Sequence, residues 1–504
     1  MRWHFADDSE DRQAVLWSLE TALLAVSVSC KRQRAGQIDA KYVTLACPTY
    51  RLIPKPESVQ VALFAGRYLR RSQTPTTGKG MKWRNQLLAL FCLLAFAGLG
   101  VLYFQHWVIR KPFGIILFVG EGLTPARLAP TRAYAGGSGT HLSLDSMPRA
   151  ALLTNYSKDF AAPDQAAAAT AIATGVRAIN RAIAINGDGK PITSIIELAR
   201  EHGRATGLVT DVKLTDPTSA AFYAHSADPS DAEKIATEFV AGGKIDIAMG
   251  GGAAQFLSTA KGGERQDRRD LLLELRSNGF DIVRTRAELE AIPAWRRPKL
   301  FGAFSKVDLA FVNQVEERSQ QPSLSDMVRR AIELLQYNAG GYMLVVDAGL
   351  MRKAAQENNG ERTLGQMVEL DRAVAVARNY AGPKSTIIVS GDAAIGGLSL
   401  NGFPFRKDSG IALLGFNSAG QPWITWATGP NGTKSYGAAK LPGKLNGDNG
   451  EQPEAEQTEP AAFYTKSALG TVEDVVAFGS GPGTEALQGV LDNTTVFNIL
   501  RNEL

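Results

Sequence analysis

Hydrophobic and polar positions along the 504-residue chain fall into two regimes. Near the amino end lies one long uncharged run, Leu87 to Phe104, within MKWRNQLLALFCLLAFAGLGVLYFQHW (81–107). From Phe113 onward come short apolar, β-branched runs that stop at an acid or a glycine and give way to helical spacing. FGIILFVGEG (113–122), RATGLVTD (204–211), KIDIAMGGG (244–252), GYMLVVDAG (341–349) and STIIVSGD (385–392) read as buried strands. SIIELAREHG (194–203) and DMVRRAIELLQYNAG (326–340) read as amphipathic helices, and APDQAAAATAIATG (162–175) as a turn opening a tightly packed one. This alternation predicts an α/β domain over residues 112–504: a mostly parallel, doubly wound sheet flanked by helices on both faces.

The long run matches the ~18 residues that can just span a hydrocarbon core. Lys79, Lys82 and Arg84 precede it, which favours that end staying in the cytoplasm. Bulky Leu102, Tyr103 and Phe104 close the run where a cleavage site would need small residues. The expectation is one transmembrane signal anchor over 81–111 that meets lipid through residues 87–104. It would leave the main domain outside the cytoplasm, periplasmic or extracellular. The rival readings are a cleaved signal peptide and a buried core helix. Met81-Lys82-Trp83-Arg84 resembles an ordinary basic start, so residues 1–80 are expected to be an untranslated over-extension or a disordered tail. GAAKLPGKLNGDNGEQPEAEQTEPA (437–461) has no apolar period and is expected as a surface insertion before the last strand.

Composition narrows the chemistry. A net charge of +5, with no concentrated basic patch, gives no case for nucleic-acid binding. The cysteines are Cys30, Cys47 and Cys92, so nothing after residue 92 can form a disulfide or a thiolate metal site. His4, His106, His141, His202 and His225 show no paired ligand spacing, which argues against an imidazole-rich zinc site. His225 is expected to pack or cap, and Gly250-Gly251-Gly252 to make a tight turn and not a phosphate cradle. GKLNGDNGE lacks the spacing of a calcium loop. Three strands end in acid, at Glu121, Asp347 and Asp392. Ligands of open α/β sheets sit beyond the carboxyl ends of the strands, so these acids should converge on one crevice. Three helix caps are the plainer alternative.

Taken in order, ILFVGEGLT (116–124), PDQAAAATAIATGVRAINRAIAI (163–185), TSIIELAREHGRATGLVTDVKLTDPTSAAFYAH (193–225), VVDAG (345–349), IIVSGDAAIGGL (387–398) and GTVEDVVAFGSGPG (470–483) resemble the alkaline phosphatase family over residues 113–504. The resemblance implies phosphate monoester hydrolysis through a phosphorylated serine, two zinc ions, a magnesium ion and a phosphate-clamping arginine.

Carried over position by position, most of that apparatus is replaced. The serine of D-S-A-A is Gln165, a neutral amide. The phosphate arginine falls on Pro229. One zinc site maps to Arg352, Gln356 and Gly470, and the second loses its imidazole to Ala393. A guanidinium keeps its proton and cannot ligate a metal, and zinc wants about four nitrogen, sulfur or carboxylate donors. Zinc is therefore expected to be absent. The magnesium position maps to Glu121, Asp216, Thr218 and Asp347, with Asp392 beside it, all oxygen donors suited to magnesium or calcium. Clustered carboxylates need a counter-charge, and two sources stay open: a divalent ion, or Arg352 bridging the acids. Gln165 is expected to hydrogen-bond this network. The expected function is that of a membrane-anchored pseudoenzyme binding a partner or a phosphate-containing ligand. The alternatives are an active phosphomonoesterase using one magnesium ion, and a structural envelope protein.

Overall fold

The computed structural model describes residues 79–103, 113–296, 299–402, 405–408, 410–433 and 459–504. The expected extension 1–80 and the insertion 437–461 lie almost wholly outside the described residues. The chain divides into two compact units, Met1–Ala95 and Phe96–Leu504.

In the first unit the described residues belong to a 25-residue helix, Lys79–Tyr103, which runs on into the numbering of the second. Its described side chains, Phe91 and Phe96 among them, are exposed. The helix covers the run expected to span a bilayer, except Phe104, which is outside the described residues. Among the described residues, however, no helix is long and apolar enough to cross a membrane.

The second unit is built on a ten-stranded sheet. Its strands are β1 (Gly114–Gly120), β2 (Arg149–Thr154), β3 (Ala205–Lys213), β4 (Ile247–Gly251), β5 (Phe280–Val283), β6 (Lys299–Ala303), β7 (Tyr342–Ala348), β8 (Thr386–Gly391), β13 (Val475–Ser480) and β14 (Gln488–Asp492). Their order is β14-β2-β13-β8-β1-β7-β3-β4-β6-β5. β13 runs antiparallel to both its neighbours, and the other pairings are parallel. A smaller sheet holds β9 (Ser399–Leu400), β10 (Ile424–Gly429), β11 (Gly432–Thr433) and β12 (Ala461–Tyr464) in the order β11-β12-β10-β9.

All seven residues of β1 are buried because both faces of the sheet are covered. Ile115, Leu117 and Val119 point into one apolar layer, which includes α2 (Gln165–Thr174), α3 (Ile195–Glu201) and α8 (Thr495–Glu503). Ile116 and Phe118 point into the other, which includes α5 (Leu324–Leu335), α6 (Leu350–Gln356) and α7 (Gly360–Ala381). Each fully buried Ile, Leu or Phe contributes about 1.5–3 kcal/mol, so β1 anchors the site from both sides. Two further helices matter below, α1 (Pro125–Gly136) and α4 (Pro217–Ala220). Capping boxes start α3 (Ser194, Glu197) and α5 (Ser323, Asp326), satisfying backbone N–H groups that helix starts leave unpaired.

The five expected strands and the expected helices are all present. The far end of the 437–461 stretch differs from expectation. Glu459 is buried, accepting from Gly360 N at 2.7 Å and Trp426 Nε1 at 3.3 Å, and Ala461 opens β12. The stretch therefore precedes three strands, not one, and its last residues turn inward because the small sheet needs them as a strand.

Candidate functional site

Parallel register sets the site. Gly120 of β1 lies level with Ala348 of β7 and Gly391 of β8, and Asp347 is level with Val119 of β1 and Thr210 of β3. Glu121, Asp347 and Asp392 therefore emerge within a residue or two of one another at the carboxyl edge. α4 adds Asp216 and Thr218, and α6 adds Arg352. The expected convergence is present, but it is sealed and not an open crevice. Glu121 and Asp347 are 0% exposed, Asp392 1%, Arg352 5% and Asp216 6%.

Arg352 holds this assembly together. Its Nη2 donates to both oxygens of Asp216, at 2.9 and 2.8 Å, and its Nε donates to Glu121 Oε2. Lys353 adds a second cation, with Nζ 3.4 Å from Asp216 and 3.6 Å from Asp308. Burial pushes Asp216 up, but Arg352 and Lys353 outweigh it and hold the carboxyl below its ordinary range. Burial likewise opposes the charge on Arg352, and Asp216 and Glu121 outweigh that too, holding its proton more firmly than usual.

The other acids are neutralised differently. Asp347 Oδ2 accepts from Ser219 Oγ at 2.7 Å and Thr210 Oγ1 at 3.1 Å. Asp392 Oδ1 accepts from Gly122 N at 3.1 Å, and its Oδ2 faces Thr218 Oγ1 at 3.5 Å. Burial, reinforced by the Glu121 charge, raises both acids well above the carboxylate range. Glu121 is raised as well, first by burial. Among the described residues, Glu121 Oε1 and Asp347 Oδ1 find no N–H or O–H donor. Behind them Asp211 accepts from Gly349 N at 2.8 Å and Leu350 N at 3.0 Å, and burial brings its carboxyl to about 7.

The remaining predicted positions surround this cluster. Gln165 is the half-buried first residue of α2, after the cap Asp164, whose carboxylate accepts from Ala167 N and Arg181 N. The amide that reaches the cluster is that of Gln356, which accepts from Arg352 Nη1 at 3.3 Å. The expectation for Gln165 is corrected accordingly: among the described residues its side chain makes no hydrogen bond to these acids, whereas α6 carries Gln356 one turn beyond Arg352. Gly470 bridges to Ile395, and a Cβ placed there would lie 3.5 Å from Pro163 O and 3.7 Å from Ala394 O. A side chain at 470 would thus stand at the start of α2. Ala393 is buried beside Asp392, and Pro229 sits in a surface turn. His225 is held elsewhere, 3.2 Å from Ile192 O and between Glu197 and Glu238. Gly252 takes φ +86°, as a tight turn requires.

Sequence reasoning missed Arg127. It lies in the first turn of α1, where the helix dipole disfavours a cation, and that anomaly was its one sequence signal. Its guanidinium is buried against Gly122, where a Cβ would come within 2.5 Å of Nη1. Nη2 donates to Ile395 O at 2.5 Å, and burial lowers its ordinary value to about 10. The roles of Lys353, Ser219 and Thr210 were equally hidden, because nothing local distinguishes a serine or threonine that reaches a distant acid.

The donor set fits neither family metal. Zinc sites draw mainly on imidazole and thiolate, which the cluster lacks, and its carboxylates are not grouped around a common point. A hard divalent ion would need the face of Glu121 and Asp216 that the guanidinium already occupies. Among the described residues, no group of three or more His, Cys, Asp or Glu is placed to hold a metal ion. The oxygen-bearing residues expected as a magnesium site do meet, with Arg352 standing among them.

The alkaline phosphatase family model matches residues 114–504. The tissue-nonspecific alkaline phosphatase of Gallus gallus is 27% identical, over 77% of this chain and 83% of that protein. Alkaline phosphatase H of Pseudomonas aeruginosa is 31% identical, over 56% of this chain and 70% of that one. A solved variant of the alkaline phosphatase of the Antarctic bacterium TAB5, with a histidine replaced by glutamate and magnesium in its M3 site, superposes with a TM-score of 0.60. It is 20% identical, over 78% of this chain and 98% of that one, and shares the fold. By family model and by relatives, with the fold shared as well, this chain belongs to the alkaline phosphatase family.

Proposed function

We propose that this chain is a pseudoenzyme of its family, a binding protein that no longer hydrolyses phosphate esters. One observation carries the reading: the Arg352 guanidinium bridges Glu121 and Asp216 at the position the family assigns to a catalytic ion. Hydrolysis needs an activated nucleophile and a cation or donor set facing the developing charge. Here the nucleophile position is an amide, and the charged groups are turned inward on one another. The uncharged run 87–104 supports a membrane anchor with the domain outside the cytoplasm, and a phosphate-bearing partner remains the ligand class to test first.

A second reading, active phosphomonoester hydrolysis with one magnesium ion, is favoured by the alkaline phosphatases among the relatives and by the magnesium of the TAB5 variant. The full chain, purified in detergent and stripped of metal, separates the two. Assayed on a generic phosphate monoester with zinc or magnesium restored, it is expected to show no turnover above buffer. Turnover that follows the added ion and disappears on chelation would overturn the pseudoenzyme reading.

A further inference from the structure

We infer that Arg352 is a built-in cation that makes this chain indifferent to divalent metal ions, and that once its guanidinium is removed the acids it bridges rearrange to take a magnesium ion in its place. The inference rests on the reading above and extends it to what the buried acids now require.

Four features support it. Arg352 spans two elements, holding Glu121 after β1 and Asp216 at the start of α4, from positions 231 and 136 residues away. Bridging carboxylates from separate segments is what a multidentate cation does. The oxygens around it come from carboxylates and hydroxyls, a hard donor set that selects magnesium or manganese over zinc once imidazole and thiolate are absent. Two buried oxygens, Glu121 Oε1 and Asp347 Oδ1, have no donor among the described residues, so an ion would break no hydrogen bond to reach them. The four acids also outnumber their cations. Among the described residues Lys353 pairs only with Asp216 and Asp308, and Arg352 is the one cation that contacts Glu121.

A small dication can replace the lost charge and the bridge together. In the native chain the same ion would have to expel the guanidinium or sit beside it, and like charges at that separation repel strongly in a dry site.

The test uses the full chain in detergent, metal-stripped, as the native protein and as Arg352→Ala, Arg352→Lys and Arg352→Ala/Asp216→Ala. Each is melted and titrated calorimetrically with magnesium chloride, against sodium chloride at equal ionic strength. The native protein and Arg352→Lys should be unmoved by millimolar magnesium. Arg352→Ala should melt several degrees lower, recover most of that loss with magnesium and bind one ion per chain. The double variant should lose that response. Should Arg352→Ala fail to fold without metal, its yield on refolding with and without magnesium becomes the readout, and recovery only with the ion supports the inference. One-to-one magnesium binding by the native protein would overturn it. So would an Arg352→Ala protein whose melting, or refolding, ignores magnesium, manganese and calcium alike. Turnover by the native chain would sink the pseudoenzyme reading alone, whereas an ion-blind Arg352→Ala with an inactive native chain would sink only this inference.

Discussion

The buried cluster has two halves that silence their acids in different ways. On one side Glu121 and Asp216 are held by the fixed charge of Arg352, with Lys353 as reserve. On the other, Asp347 and Asp392 lean on hydroxyls and backbone N–H groups, and burial raises both carboxyls well above their ordinary range. A charge pair and a protonated acid look alike in a list of buried polar groups, yet they respond to substitution in opposite ways. Removing one member of a buried pair strands the other. Replacing an acid that is already neutral with its amide removes almost nothing.

The sharpest way to break this comparison is Arg352→Ala in metal-free buffer. It should cost about 3–5 kcal/mol, the usual penalty for leaving a buried charge uncompensated. Urea unfolding checks it, and a loss below about 1 kcal/mol would show that the arginine is not the keystone. Asp216→Asn should cost about 2–3 kcal/mol, because the charged hydrogen bonds to Arg352 are lost while the shape is kept. Its urea midpoint should fall correspondingly.

pH addresses the other half. Asp211, with a folded value of about 7 against an ordinary 3.8, favours the fold most when protonated. That contribution is complete below pH 3.8 and disappears as pH climbs through 7. Stability should therefore fall with rising pH by up to about 1.4 kcal/mol per unit for this one proton. Asp347 and Asp392, also raised, act with the same sign. Melting curves from pH 5 to 8 should show the decline, with a shallower slope in Asp211→Asn. Asp347→Asn should change stability by less than about 1 kcal/mol, since the amide oxygen still accepts from Ser219 and Thr210. An effect as large as that of Asp216→Asn would erase the distinction between the halves. Gln165→Ser should have the smallest effect: in the monoester assay, restoring the hydroxyl alone should yield no turnover, because the donors around it stay missing.

Local pattern carried much of this protein. Period and composition located all five strands read from the sequence, because a strand covered on both faces must be apolar throughout, as Ile115–Val119 are. Motif order located the acids at the strand ends, and Arg352 was visible as one of two candidate counter-charges. The small sheet was not legible, nor was the inward turn at Glu459, because both depend on partners far away in sequence. Gln165 misled because its place on the motif suggested a hydrogen bond to the acids that its side chain does not make among the described residues.

From the order of its residues alone this chain declares its fold and its kinship, since these are matters of which side chain stands where. Only the packed structure decided that the counter-charge is a guanidinium seated between two acids, and that Gln356 is the amide hydrogen-bonded to it. The reason is reach. Hydrophobic period reports which face is buried, but whether Arg352 closes on residues 136 and 231 positions away depends on strand register and helix direction, and those exist only after the sheet has formed.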